Sequence, residues 1–199
     1  MSVNHFIKAF VNNPKGVSTI FPASKALSLA MAISSEVSER KRIVEIGVGT
    51  GALTEAMLPL MGEGHNYTGF EIDATFFKFL NSRFIPKHQN QIKKLNSFKM
   101  RSESAENISS LFEAESVDVV VSSLPWSVFE PNLQNSILDE VYKILKPGGV
   151  FSFYNFVISS QSQQIKSFQQ EIKKRFETLE PKKKVWKNFP PATVWVAKK

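Results

Sequence analysis

Arg42-Ile43-Val44-Glu45-Ile46-Gly47-Val48-Gly49-Thr50-Gly51 reads as a short apolar strand that runs into three alternating glycines. Leu53 to Met61 then reads as a helix. Glycine lets the chain turn sharply and lets a ligand approach the backbone. Twenty residues past Gly51, a second strand, Tyr67 to Glu71, ends in an acid. An acid at that place can bond both hydroxyls of a ribose. The stretch therefore predicts a site for an adenosine-containing ligand at the carboxyl ends of the strands. Gly47, Gly49 and Ala52 also satisfy the G-x-G-x-x-[GA] fingerprint, so a nicotinamide dinucleotide competes as the ligand. Three features oppose it. Glu45 would repel a pyrophosphate but not a sulfonium, Gly51 extends the glycine alternation, and the chain is short for a dehydrogenase with a second domain. A glycine turn without any ligand is the remaining alternative.

Outward from this stretch, apolar runs alternate with helical patterns. Helices are predicted over Ala74 to Phe84, stopped by Pro86, over Leu133 to Leu145, and over Gln163 to Phe176. Further strands are predicted over Ser97 to Met100, Val117 to Ser122, Val150 to Val157, Lys184 to Trp186 and Thr193 to Ala197. Strands alternating with helices imply a parallel sheet covered on both faces. Val3, Phe6, Ile7, Phe10 and Val11 fall on one face of a helix. That helix either packs on its own domain or lies in a membrane interface.

The 199 residues fit one domain, 1–199, whose segment 1–40 is an N-terminal helical part able to cap a substrate or meet a membrane. The chain has no cysteine, which excludes disulfides, zinc ribbons, iron–sulfur sites and a thiol nucleophile. His5, His65 and His88 lack ligand spacing, so no metal is expected. No apolar run approaches a membrane span, and the first residues lack a signal-peptide pattern. A cytoplasmic location is the expectation. The net charge is +7, and residues 173–199 carry all of it, with nine basic groups against Glu177 and Glu180. A basic end points to an anionic partner, lipid or nucleic acid, or is a solvated face.

The pattern E-x-G-x-G-x-G at Glu45–Gly51 followed by the strand-end Glu71 resembles the first two motifs of the class I methyltransferases that use S-adenosylmethionine. Ser122-Ser123-Leu124-Pro125-Trp126 sits where such enzymes carry their fourth motif, with Ser123 in the place of an Asn or Asp. Asn13-Pro14-Lys15-Gly16-Val17, Phe21-Pro22-Ala23-Ser24-Lys25-Ala26-Leu27, Leu145-Lys146-Pro147-Gly148-Gly149 and Asn188-Phe189-Pro190-Pro191-Ala192-Thr193-Val194-Trp195 complete a pattern that resembles the bacterial phospholipid N-methyltransferases. These convert phosphatidylethanolamine to phosphatidylcholine.

The resemblance implies an α/β, Rossmann-like, seven-stranded and mostly parallel sheet with its last strand antiparallel. It places Pro22, Ser24, Glu45, Gly47, Gly49, Thr50, Gly51, Glu71, Ile72, Ser104 and Ala105 around S-adenosylmethionine. It places Ser123, Leu124, Pro125, Trp126 and Tyr154 at the methyl acceptor, with Trp126, Phe129 and Tyr154 offering rings to a methylated ammonium. Family members commonly show Gly-Asp-Ala where this chain has Glu103-Ser104-Ala105, so a neutral hydroxyl replaces a charged contact to adenine. The implied partners are a phospholipid headgroup and an anionic membrane surface, bound peripherally. An RNA adenine N6-methylase, which would want Asn at Ser123, and a non-catalytic cofactor or lipid binder are the alternatives.

Overall fold

The computed structural model describes residues 23–199. Pro22 and the amphipathic run Val3–Val11 lie outside these residues. Seven strands form one sheet: β1 (Arg42–Ile46), β2 (Asn66–Phe70), β3 (Ser97–Arg101), β4 (Val117–Ser122), β5 (Leu145–Phe156), β6 (Thr178–Val185) and β7 (Ala192–Lys198). Their order is β3-β2-β1-β4-β5-β7-β6. All neighbours are parallel except β7, which runs antiparallel to both β5 and β6. The mostly parallel α/β sheet with an antiparallel last strand is as the sequence implies.

The main helices are α1 (Lys25–Ser34), α2 (Ala52–Met57), α3 (Ala74–Phe79), α4 (Pro131–Ile144) and α5 (Gln163–Arg175). The central strands bury side chains on both faces, which requires a cover on each. Val44, Ile46, Val120, Phe151 and Phe153 pack with Ile137, Leu138, Val141 and Ile144 of α4 and with Ile165, Phe168 and Ile172 of α5. Ile43, Val119, Val121 and Val150 pack on the other face with Leu27, Met31 and Ala32 of α1 and Leu53 and Met57 of α2.

Besides β5, which starts at Leu145 rather than Val150, two elements depart from the sequence reading. Pro86 does not stop the third helix. Leu80–Phe84 forms a π turn in which the Ile85 amide donates to the Leu80 carbonyl, and Pro86 opens a further short turn, Ile85–Lys87. The wider turn accommodates a ring that would clash with a regular one. The second is β6, which starts at Thr178 rather than Lys184 and is exposed along most of its length. It is an edge strand, with Pro181 inside it and a register shift between Pro181 and Lys183. Proline, lysines and a bulge all discourage a further strand from pairing there.

Candidate cofactor and acceptor site

β1, β2 and β4 end side by side, and the loops after them form the site. After Ile46 the chain passes through Gly47, Gly49 and Gly51, all at positive φ. Two of these glycines answer to different needs. A Cβ on Gly51 would lie 2.5 Å from the Phe84 ring, so that position is closed by the protein's own packing. A Cβ on Gly49 would meet nothing within 4 Å. The face of Gly49 is open space, as a backbone that receives a ligand must be.

Glu71, next after β2, is 5% exposed. One carboxylate oxygen accepts the Gly49 amide at 2.6 Å and the other accepts the Asp73 amide at 2.8 Å. Burial raises its pKa, and the two amide bonds oppose that shift. Ile72 beside it packs at the margin of the α4–α5 core. Thr50 is exposed at the tip of the loop.

Glu45 differs from its expected place at the ligand surface. It is fully buried beneath the loop. One oxygen accepts the Tyr67 hydroxyl at 2.6 Å and the Thr54 hydroxyl at 2.7 Å. The other has no hydrogen-bond partner. Burial pushes its pKa up to about 7, against the pull of the two hydroxyls. Glu45 thus joins β1 to β2 and α2, and its charge near neutrality is only partial. The repulsion of a pyrophosphate expected from it is correspondingly weaker.

Ser24 also has a structural task. Its hydroxyl accepts the Leu27 amide at 3.2 Å and caps α1. Its amide donates to the Asn188 side chain at 2.9 Å. Ser104 caps the 3₁₀ segment Ala105–Leu111, accepting the Glu106 amide and donating to the Glu106 carboxylate at 3.1 Å. Ala105 is buried in the core.

The loop expected to meet the methyl acceptor follows β4. The Ser123 amide donates to the Ile46 carbonyl at 3.1 Å, which ties this loop to the end of β1. Gly47 permits the approach, since a Cβ there would lie 2.8 Å from Leu124 Cδ2. Ser123 and Pro125 are half-buried and Leu124 is buried.

Trp126 and Phe129 overturn the expectation of an aromatic cover over the substrate nitrogen. Each is 1% exposed. The indole stacks on Phe168 with centroids 4.3 Å apart, and its N–H donates to Ser122 Oγ at 3.0 Å. Three further rings surround the region, Phe129 and Phe151 edge-on to the indole and Phe153 edge-on to Phe168. The residue turns inward because α5 offers it an apolar face and Ser122 offers its N–H a partner. Tyr154, half-buried near the end of β5, sits edge-on to Phe156. Burial pushes its hydroxyl up to about 12, so it is a neutral phenol at ordinary pH.

Two residues that hold the site escaped the sequence reading. Ser122 holds both the indole and the Leu124 amide. Asn188, 2% exposed, bonds Ser24 and the Pro190 carbonyl. A polar residue closing an apolar strand was the available signal for Ser122.

Residues 44–153, just over half of the chain, match a family model described as a methyltransferase domain. The chain belongs to this methyltransferase domain family. The methyltransferase is 23% identical over 150 residues to an ornithine lipid N-methyltransferase of Singulisphaera acidiphila, covering 74% of each chain. It is 32% identical over 111 residues to a hybrid PKS-NRPS synthetase of Hapsidospora irregularis, spanning 55% of this chain but only 3% of the synthetase. Among solved structures, spermidine synthase from Thermotoga maritima superposes with TM-score 0.68 at 14% identity, over 89% of this chain and 60% of that one. The O-methyltransferase TomG from Streptomyces achromogenes, in complex with S-adenosylmethionine, does so with TM-score 0.68 at 14% identity, over 100% and 91%. At such identities the likeness to solved structures is one of fold. The family and the cradle at Gly49 and Glu71 together indicate S-adenosylmethionine as the cofactor of the methyltransferase.

Proposed function

We propose that this methyltransferase transfers methyl groups to the amine of a phospholipid headgroup, phosphatidylethanolamine and its methylated intermediates, at a membrane surface. The observation that carries lipid N-methylation is the match to an ornithine lipid N-methyltransferase over three quarters of both chains; the choice of a phospholipid headgroup rests on the motif resemblance at Ser123–Pro125 and Asn188–Trp195. The pairing of the Ser123 loop with the end of β1 supports it, because it brings an acceptor loop beside the glycine cradle.

When bound, S-adenosylmethionine supplies a methyl group activated by a sulfonium. Gly49 and Glu71 would hold its adenosyl part, with Ser104 beside them along the strand ends. The chain's own work is positioning. A headgroup amine has a pKa of about 10 and must shed a proton before it can attack. Burial lowers an amine's pKa, so a closed acceptor loop aids that loss. The acceptor loop Ser123–Trp126 carries no carboxylate or imidazole, and Tyr154 is held neutral. Ser123 and the loop carbonyls are the acceptors available to orient the amine.

Incubation with methyl-labelled S-adenosylmethionine and, in parallel, phosphatidylethanolamine micelles or RNA tests the reading. Label in the lipid extract supports it. Label in RNA, or in neither, refutes it.

A further inference from the structure

β5, β7 and β6 meet at the same end of the sheet as the glycine loop. Phe156 of β5 pairs with Ala192 of β7, and Ala192 pairs with Val185 of β6. Beyond this row the Val157 amide donates to the Pro191 carbonyl at 2.8 Å. The β6–β7 turn, residues 186–191, and the residues after β5 therefore form one rim. Because β5 runs parallel to β4 and β4 to β1, this rim is on the cofactor side of the molecule.

Three large apolar side chains stand on this rim. Ile158 is 84% exposed, Phe189 79% and Trp186 66%, the three highest values among the large hydrophobics described. Single exposed apolar residues are ordinary; their concentration on one rim is not. Residues 181–192 also hold four lysines and no acid. Lys182 pairs with Glu180, while Lys184 lies with its Nζ 5.3 Å from the Trp186 ring centre. Defence of an edge strand explains lysines on β6. It does not explain an indole and a phenyl ring held outward in the turn beyond it.

The turn is also firmly placed. Asn188 is buried between Trp186 and Phe189, with its side chain bonded to Ser24 and to Pro190. Val185 and Ala192 are core residues on either side. The tip needs little ordering when it meets a partner.

We propose that this tip, Trp186 and Phe189 with Ile158 beside them and Lys183, Lys184 and Lys187 around them, docks the protein on an anionic lipid bilayer. Indole and phenyl rings favour the boundary between headgroups and acyl chains. Lysine stems cross that boundary while their ammonium groups meet lipid phosphate. Docked by this rim, the protein turns its cofactor side toward the headgroups. The inference rests on the lipid reading above for its substrate and identifies the surface that reaches it.

The test is flotation of the full chain with phosphatidylglycerol-containing vesicles, with phosphatidylcholine vesicles alongside. Wild type is expected to float with the anionic vesicles, less so as salt rises, and Trp186 fluorescence to shift blue. The double variant Trp186→Ser, Phe189→Ser should lose affinity about tenfold or more, since it removes the inserted apolar area. Its cofactor affinity and its methylation of lipid in detergent micelles should match wild type. The triple variant Lys183→Gln, Lys184→Gln, Lys187→Gln should lose the preference for anionic vesicles. A wild type that ignores the vesicles, a double variant that still floats, or a tip whose variants lose RNA binding instead overturns the docking surface. Micellar lipid methylation by such a protein leaves the proposed activity standing. Tip-dependent flotation without methyl transfer to any lipid keeps the docking surface and sinks the activity.

Discussion

Glu71 reaches from the end of β2 to the Gly49 amide, 2.6 Å away. The same carboxylate is the expected partner of the cofactor ribose, so one group would both shape the glycine loop and meet the ligand. Glu71→Ala should remove both roles. Lost hydrogen bonds from a buried carboxylate cost about 1–3 kcal/mol. Calorimetric titration with S-adenosylmethionine should show that loss, and an unchanged affinity would remove Glu71 from the site.

Gly49 and Gly51 should respond differently to a side chain. Gly51→Ala meets the Phe84 ring as well as an unfavourable φ, so it should lower the thermal midpoint sharply. Gly49→Val adds bulk to open space, and its structural cost is the left-handed backbone, roughly 1–2 kcal/mol. Its larger effect should be on cofactor affinity. Comparing melting with calorimetry for the two variants separates packing from binding.

Glu45 should make stability depend on pH. Its folded pKa, about 7, lies above the ordinary value of 4.5, so the folded state holds the proton more tightly than the unfolded one. Stability from this group is complete below pH 4.5 and falls as pH rises through 7, by up to roughly 3 kcal/mol. Glu45→Gln keeps an acceptor for Tyr67 and Thr54 and cannot ionise. Urea unfolding between pH 5 and pH 8, read against wild type, should show a flatter profile; an equal slope would locate the titration elsewhere.

Trp126 should behave as a core residue. Trp126→Ala leaves a cavity beside Phe168 and should cost about 3–5 kcal/mol of stability. Trp126→Phe keeps much of the stack and loses the bond to Ser122, a smaller penalty of about 1 kcal/mol. In the phenylalanine variant the KM for the methyl acceptor should stay near wild type. A raised KM with intact stability would return the indole to the acceptor site.

The fold was legible where periodicity and glycine spacing carried it. β1 and β4 have their predicted bounds because each is an apolar run closed by a turn. β6 was half missed because an exposed edge strand has no buried face to print an alternation on the sequence. The glycine loop was legible because its residues are consecutive, and Glu71 because it closes the next strand at a fixed spacing from that loop. The direction of Trp126 was not, since it depends on Phe168, which is distant in sequence and reaches the indole only once α5 has crossed the sheet. The burial of Glu45 was not legible for a similar reason: its partners Tyr67 and Thr54 come from two other elements.

The antiparallel insertion of β7 bears on how the chain is made. β7 is the last strand in sequence, yet it lies inside the sheet, between β5 and β6. Until it is synthesised, β5 presents a bare edge carrying Phe151 and Phe153, and β6 has no neighbour. At roughly 5–20 residues per second, the stretch from Phe156 to Ala192 leaves that edge open for seconds on the ribosome. An unpaired apolar strand is a template for other chains. A chain cut before Ala192 should therefore aggregate rather than persist as a smaller domain, because its β5 edge stays open for good.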